Sequence, residues 1–186
     1  MSVQIERRWF SVAEYDRMIE ARILTEDDRV ELIEGEIIKM SPIGKSHAGC
    51  VNRLNMFFNR LVGRDVIISI QNPVHLNDFS EPQPDVALLK PRDDFYAQMH
   101  PMPADVLLIV EVADSSVEYD RLVKVPLYAR ALIPAVWVVD LAREIVETCE
   151  RPVNGAYQDL REAKRGDILT LESLPPLRFN VDDIFG

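Results

Sequence analysis

Apolar and polar positions in the first third of the chain predict a helix, a hairpin and a second helix. Ser11 and Glu14 match the capping box found at helix N-termini, and an apolar stripe at helical spacing follows them. Residues 29–40, with Glu34-Gly35 at their centre, have the pattern of a β-hairpin. A second helical stripe follows Ser46, which is the predicted N-cap of that helix.

The middle of the chain predicts a sheet. Apolar runs indicate strands at residues 65–72, 86–89, 106–112 and 135–141. The nearly unbroken apolar run at 106–112 is typical of a strand that is covered on both faces. Residues 119–131 predict a helix between the last two strands. Pro126 should kink it, because proline lacks the N–H that would bond to Leu122.

The C-terminal tail, residues 144–185, predicts short strands separated by turns at Asn154-Gly155 and Pro175-Pro176. The sequence contains no internal repeat and no linker long enough to separate two domains. We therefore expect one α/β domain over residues 1–186, built on a central mixed β-sheet flanked by helices.

Composition places the chain among globular proteins. Its 186 residues are 47% hydrophobic and 28% charged, which argues against a disordered tail or a disulfide scaffold. No apolar run reaches the roughly 18–20 residues that a bilayer crossing requires, and no apolar segment near Met1 indicates secretion. Cys50 and Cys149 are far apart and outside any metal-ligand spacing. These features predict a cytoplasmic protein with no membrane contact.

Net charge gives a mixed indication about nucleic acid. The chain carries a formal charge of −10, which disfavours a polyanionic partner. Residues 37–64, however, contain no Asp or Glu and hold six basic or imidazole side chains: Lys39, Lys45, His47, Arg53, Arg60 and Arg64. This segment could present a positive face to a polyanion, or it could be a solvated helix side. The sequence leaves both interpretations open.

Two carboxylates lie in apolar strand segments. Glu111 is inside the covered strand, and Asp85 enters another apolar strand directly after Pro84. A buried carboxylate is unfavourable unless a cation offsets its charge, and two that meet on neighbouring strands attract a hard divalent ion such as Mg²⁺. The alternative is that each carboxylate pairs with an Arg or Lys, or reaches water at a strand end.

The helix that follows the Glu111 strand adds a lysine. Asp120, Lys124 and Tyr128 recur at every fourth position, which places them on one helical face. This pattern is also that of an exposed salt-bridge ladder.

Common catalytic motifs do not occur: the sequence has no glycine-rich phosphate loop, no paired-histidine helix and no serine nucleophile elbow. The histidines at 47, 75 and 100 are scattered.

These residues resemble the PD-(D/E)XK signature of restriction-endonuclease-like nucleases. The chain is similar, more closely, to the Uma-type branch of that superfamily from about residue 9 to 140. The resemblance rests on the segment 31–37, His47 opening a helix, Gln71-Asn72-Pro73, Pro84-Asp85, Val110-Glu111-Val112, and Asp120 with Lys124 and Tyr128. One position departs from the general signature, because Ala113 stands where a lysine is expected two residues after the glutamate.

The resemblance implies a restriction endonuclease-like fold and a metal-dependent DNA endonuclease. Asp85 and Glu111 would bind Mg²⁺ or Mn²⁺, with the Val112 carbonyl as a further ligand. Lys124 takes the place of the missing lysine and would orient or activate a water. Glu31 is the candidate for an additional acidic group. Strand alternation puts Ile33 on the same face as Glu31 and leaves Glu34 at the turn, so Glu34 is the second choice.

The same resemblance suggests a supporting shell and a homodimer. His47, Gln71 and Tyr128 would support the site, although His47 could instead cap its helix. Duplex cleavage needs two active sites or two events, so we expect two copies to pair through apolar surface near Trp9-Phe10 and Tyr157. Two other functions stay open: an inactive nuclease fold used for binding or assembly, and a magnesium-dependent hydrolase of small phosphates.

Overall fold

A six-stranded mixed sheet forms the centre of the protein in the computed structural model, which describes residues 7–63, 65–171, 174 and 178–186. The strands are β1 (Val30–Ile33), β2 (Glu36–Lys39), β3 (Ile67–Ile70), β4 (Val86–Leu89), β5 (Val106–Ala113), β6 (Ala135–Asp140), β7 (Ile145–Val153), β8 (Ala156–Lys164), β9 (Ile168–Thr170) and β10 (Arg178–Asn180).

The helices are α1 (Val12–Glu20), α2 (Lys45–Leu61), α3 (Val117–Tyr119), α4 (Val125–Arg130) and α5 (Val181–Phe185). A π-helical segment, Asp120–Lys124, connects α3 to α4. Two short 3₁₀ turns cover Glu26–Asp28 and Pro103–Asp105. Within the described residues, no helix is long and apolar enough to cross a bilayer.

The central sheet has the strand order β3-β4-β5-β6-β7-β8, and only β5 and β6 are parallel. The crossover between these two strands is the α3–α4 region, as expected for parallel neighbours. Two-stranded sheets, β1-β2 and β9-β10, lie outside the central sheet. The predicted α/β class, with a mixed sheet flanked by helices, is confirmed.

Apolar clusters cover both faces of the sheet. On one face, α2 and α5 pack over Trp137, where Phe58 and Phe179 also contribute; the Trp137 and Phe179 rings meet edge to face at 5.0 Å. On the other face, α4 packs through Leu127 and Tyr128. All but one of the β5 residues are buried, which confirms the strand predicted to be covered on both faces.

Local signals near the N-terminus predicted their structures correctly. Ser11 and Glu14 form a complete capping box, in which each side chain accepts the other residue's backbone N–H. The hairpin turns at Glu34-Gly35, and both residues adopt positive φ, as a two-residue turn requires. An added Cβ at Gly35 would lie 2.7 Å from Cβ of Trp9, so glycine is needed there for space as well as for conformation.

Other predictions need correction. Helix α2 begins at Lys45 with Gly44 as its N-cap, because Gly44 has extended geometry and its carbonyl accepts the Ala48 N–H; Ser46 is therefore within the first turn. In the tail, β7 and β8 are nine residues each rather than short, since they pair along their lengths. Their turn is Asn154-Gly155, as predicted. Pro175-Pro176 lies outside the described residues.

Candidate active site

A cleft of about 350 Å³ opens where β1, β4, β5 and the π-helical segment meet. Residue Val86 pairs with Val110 across β4 and β5, so Asp85 and Glu111 come next to each other at this edge. The walls include most of the predicted site residues and several others: Arg29, Glu31, Lys39, His47, Gln83, Asp85, Glu111, Val112, Asp114, Ser116, Tyr119, Asp120 and Lys124.

Asp85 is held by three hydrogen bonds. Its Oδ1 accepts from His47 Nε2 at 3.0 Å and from Gln71 Nε2 at 3.2 Å, and its Oδ2 accepts the Val112 N–H at 2.8 Å. Burial raises the pKa of Asp85, but the hydrogen bond and charge of His47, with the other two donors, outweigh burial and lower the pKa. Asp85 is therefore an ionised carboxylate at the cleft wall.

His47 is a partner of Asp85 and does not cap its helix. Gly44 occupies the N-cap position, which places His47 in the first turn with its ring directed toward Asp85. The hydrogen bond to Asp85 raises the pKa of His47, although burial opposes this. Its Nδ1 is buried and has no hydrogen-bond partner among the described residues.

Glu111 is buried and is held by the helix above it. Its Oε1 accepts a hydrogen bond from the Tyr128 hydroxyl at 2.6 Å and from Lys124 Nζ at 3.3 Å. Burial raises the pKa of Glu111 to about 8, and Lys124 only partly opposes that rise. The neighbouring carboxylates of Asp120, Asp85 and Glu31 raise it further.

Lys124 lies between two carboxylates. Its Nζ is 3.1 Å from Oε2 of Glu31 and 3.3 Å from Oε1 of Glu111, and the residue is only 5% exposed. Burial alone would lower the pKa of Lys124, but the carboxylates of Glu111, Glu31 and Asp120 outweigh burial and raise it. The side chain is therefore a fixed ammonium, and in this arrangement it supplies charge and hydrogen bonds rather than accepting a proton.

The two candidate glutamates of the hairpin have different surroundings. Glu31 is 3% exposed, and its Oε2 accepts the Gln83 N–H at 3.1 Å in addition to the Lys124 ammonium. Glu34 is exposed at the hairpin turn, where it pairs with Arg130 at 2.6 Å. The structure thus brings Glu31 into the cleft and leaves Glu34 outside it.

The alternative interpretation of this helix face, an exposed salt-bridge ladder between Asp120 and Lys124, is not what the structure shows. Asp120 instead accepts a hydrogen bond from Ser116 at 2.8 Å, and both Asp120 and Lys124 are buried. In the helix that was expected to kink at Pro126, a π-helical segment comes directly before the proline, and a wider turn of this kind can accommodate a residue that has no N–H to donate.

The donor set is suitable for a hard cation. Carboxylate oxygens of Asp85 and Glu111 and the Val112 backbone meet at the cleft, and Mg²⁺ commonly uses one or two carboxylates with water and substrate oxygens completing its shell. The negative charge that raises the pKa of Glu111 is also what a cation would neutralise. Across the described residues, no group of three or more His, Cys, Asp or Glu side chains is arranged to bind a metal by itself.

Sequence reasoning missed Tyr119, which lines the cleft. In an α-helix, the side chain of residue i+5 points well away from that of residue i. The five-residue spacing between Tyr119 and Lys124 therefore gave no reason to place them at one site. The π-helical segment includes an extra residue per turn and brings both side chains to the same cleft. Pro126 was the only local signal of that irregularity.

The comparisons with known proteins agree with this architecture. A putative nuclease belonging to DUF820 from Anabaena variabilis has a similar structure, with a TM-score of 0.73 and 14% sequence identity over 95% of this chain and 97% of that chain. At such low identity the similarity shows the fold alone. A comparison with curated proteins found no match. A family model, described as Uma2, putative restriction endonuclease, matches residues 12–182. Because that match spans nearly the whole chain, this protein belongs to the Uma2 family of putative restriction endonucleases.

Proposed function

We propose that this chain is a metal-dependent nuclease that hydrolyses phosphodiester bonds in DNA. The observation that carries the proposal is the Lys124 ammonium, buried between Glu31 and Glu111 in a cleft that Asp85 also lines. An acidic pair next to a fixed cation suits phosphodiester hydrolysis, in which charge is stabilised on the phosphate while a water is oriented.

Asp85 and Glu111 are the proposed ligands of Mg²⁺ or Mn²⁺, with the Val112 carbonyl as a further oxygen donor. When bound, the ion would lower the pKa of a water and stabilise negative charge on the phosphate. His47 and Gln71 fix the orientation of the Asp85 carboxylate, and Tyr128 does the same for Glu111.

Lys124 contributes positive charge to the transition state. Its ammonium already has two carboxylate partners, so it is positioned before substrate arrives and needs no rearrangement to act. Glu31 holds Lys124 in place and adds to the negative charge that favours a cation. We assign Glu31 this positioning role and do not require it to contact the substrate.

The cleft walls support an anionic substrate in spite of the net charge of −10. Arg29 and Lys39 line the same cleft as the carboxylates. Only part of the acid-free segment 37–64 faces this way, because the Arg53 side chain donates to the Ile184 carbonyl at 2.9 Å on another side of α2. Arg64 lies outside the described residues.

Cleavage of a labelled DNA duplex tests the proposal. Wild type should cleave in Mg²⁺ or Mn²⁺ and not in chelator, whereas Asp85→Asn should be inactive. Asp182→Asn is the matched control, since Asp182 pairs with Arg165 on the surface away from the cleft. Equal cleavage by wild type and Asp85→Asn, or cleavage that persists in chelator, would contradict the proposal.

One observation favours a second function, a nuclease fold that binds without cleaving. Oε1 of Glu111 already accepts from Tyr128 and Lys124, which leaves fewer oxygens for a cation. Salt-sensitive duplex binding with no cleavage in any divalent ion would support this function. Turnover of small phosphate esters without duplex affinity would instead indicate a small-phosphate hydrolase.

A homodimer remains part of the proposal. Trp9 is 49% exposed, so the predicted surface at Trp9-Phe10 stays a candidate, and a second surface replaces the one predicted near Tyr157. Tyr157 is buried and its hydroxyl donates to the Ile133 carbonyl at 2.8 Å, so it offers no surface to a partner. Strand β8 is the last strand of the central sheet. If two copies pair antiparallel about Leu160, each Asp159 faces the other copy's Arg161. Sedimentation of wild type should show a dimer. Arg161→Asp should weaken this dimer, and the double exchange Asp159→Arg with Arg161→Asp should restore it. A monomer in every variant and in wild type would refute the homodimer.

A further inference from the structure

Tyr119 carries a buried hydroxyl without a partner. Its OH is inaccessible to solvent and makes no hydrogen bond to any described residue, although the side chain lines the candidate active site. An unpaired buried hydroxyl is unfavourable, because it loses its bonds to water and gains none in return.

The other four tyrosines of the chain each donate a hydrogen bond. The acceptors are the Val30 carbonyl for Tyr15, the Lys90 carbonyl for Tyr96, Glu111 for Tyr128 and the Ile133 carbonyl for Tyr157, at distances of 2.6 to 2.9 Å. The fold therefore provides a hydrogen-bond acceptor for each of these four hydroxyls. Tyr119, which lines the cleft, is the exception.

Charged groups of the site surround this hydroxyl. Glu31, Lys124, Asp120 and Glu111 all act on it electrostatically, and burial raises the pKa of Tyr119 well above its ordinary value. The group consequently keeps its proton at neutral pH and is a neutral donor. A neutral hydrogen-bond donor is useful at this position. The surrounding carboxylates repel an anionic ligand, and the hydroxyl can offset this repulsion by donating a hydrogen bond to it.

We propose that the Tyr119 hydroxyl donates a hydrogen bond to a non-bridging oxygen of the phosphodiester that enters the cleft. The inference rests on the proposed function, because it takes a phosphodiester as the ligand of this site. It assigns Tyr119 as a substrate-contacting residue beside Lys124: the ammonium supplies charge and the phenol supplies a directed donor. The phosphate oxygen thereby provides the partner that the fold does not.

Tyr119→Phe isolates the hydroxyl, since it removes one oxygen and retains the ring. We expect single-turnover cleavage of a labelled duplex to fall by about 10²-fold, the lower end of the loss seen when one preorganised donor is removed. Tyr96→Phe is the matched control, because its hydroxyl bonds to the Lys90 carbonyl outside the cleft. Equal rates for wild type and Tyr119→Phe would overturn the proposal.

A binding measurement separates this inference from the proposed function. In protein labelled with ¹³C at the tyrosine Cζ, Tyr119→Phe identifies the Tyr119 resonance, and a short duplex is added with Ca²⁺ in place of Mg²⁺. We expect that resonance to shift while the Tyr96 resonance stays fixed. A shift in a wild type that cleaves nothing would end the proposed function but keep Tyr119 as a phosphate contact. An unmoved Tyr119 resonance at saturating duplex would refute the contact, whatever the cleavage rates.

Discussion

Replacing Lys124 with methionine tests whether its ammonium holds the two buried glutamates. Methionine has similar length and no charge, so the variant retains most of the packing, leaves Glu31 without its buried cation and leaves Glu111 without one of its two hydrogen-bond donors. Breaking a buried ion pair by removing one partner destabilises a protein by about 3–5 kcal/mol. We expect a loss of that size in the free energy of unfolding near pH 7, measured in chelator by urea denaturation.

The pH dependence of this loss follows from Glu111. Its pKa in the folded wild type is raised to about 8 from an ordinary 4.5, so between these pH values Glu111 is ionised in the unfolded state and protonated in the folded state, and the free energy of unfolding falls as the pH rises. Without Lys124 the folded pKa rises further, and below pH 8 Glu111 is protonated in both folded proteins. The part of the difference in unfolding free energy between wild type and Lys124→Met that arises from Glu111 should therefore appear only above pH 8. It should grow by up to about 1.4 kcal/mol per pH unit.

Lys45→Met is the matched control for this experiment. Lys45 is exposed at the start of α2, so its replacement should change stability by less than about 0.5 kcal/mol at any of these pH values. A loss below about 1 kcal/mol for Lys124→Met, with no growth above pH 8, would mean that Lys124 behaves as a solvated surface lysine. That result would refute the buried arrangement on which the site depends.

Three further predictions concern metal binding, the hairpin and its turn. Saturating Mg²⁺ or Mn²⁺ should raise the melting temperature of wild type by about 5–10 °C at a hundredfold excess over Kd, and this increment should vanish in Asp85→Ala. An equal increment in that variant would place the ion elsewhere. Glu34→Gln should leave duplex cleavage unchanged, since Glu34 pairs with Arg130 outside the cleft; a tenfold loss would contradict that placement. Gly35→Ala should lower the free energy of unfolding by about 1–3 kcal/mol in urea, because φ is +81° and the new Cβ meets Trp9; an unchanged value would contradict it.

Local patterns were sufficient to predict much of the fold. The boundaries of β4 agree with its apolar run, and the capping box located α1, because both depend on neighbouring residues alone. Strand alternation also favoured Glu31 over Glu34, and the structure places Glu31 in the cleft and Glu34 at the turn. Short-range periodicity therefore carried information about which side chains share a face.

Features that depend on tertiary contacts could not be predicted in this way. The sequence was equally compatible with Lys124 paired to Asp120 on the surface, and only the tertiary structure, which places Lys124 of the π-helical segment 3.3 Å from Glu111 of β5, separates the two possibilities. Tyr119 was missed because the π-helical segment changes which residues share a helical face. The lengths of β7 and β8 depend on their pairing with each other, which alternation within one strand does not determine.

The most direct test of the central claim is single-turnover cleavage of a labelled duplex by wild type, Lys124→Ala and Lys124→Arg at matched metal concentration, under conditions where each is folded. We expect Lys124→Ala to lose about 10²–10³-fold in rate with duplex affinity nearly intact. Lys124→Arg should recover only part of it, since a planar guanidinium does not reproduce a compact ammonium between two carboxylates. Equal rates for wild type and Lys124→Ala would contradict the account, whereas duplex binding without cleavage by wild type in any divalent ion would leave the non-catalytic binding module as the better description.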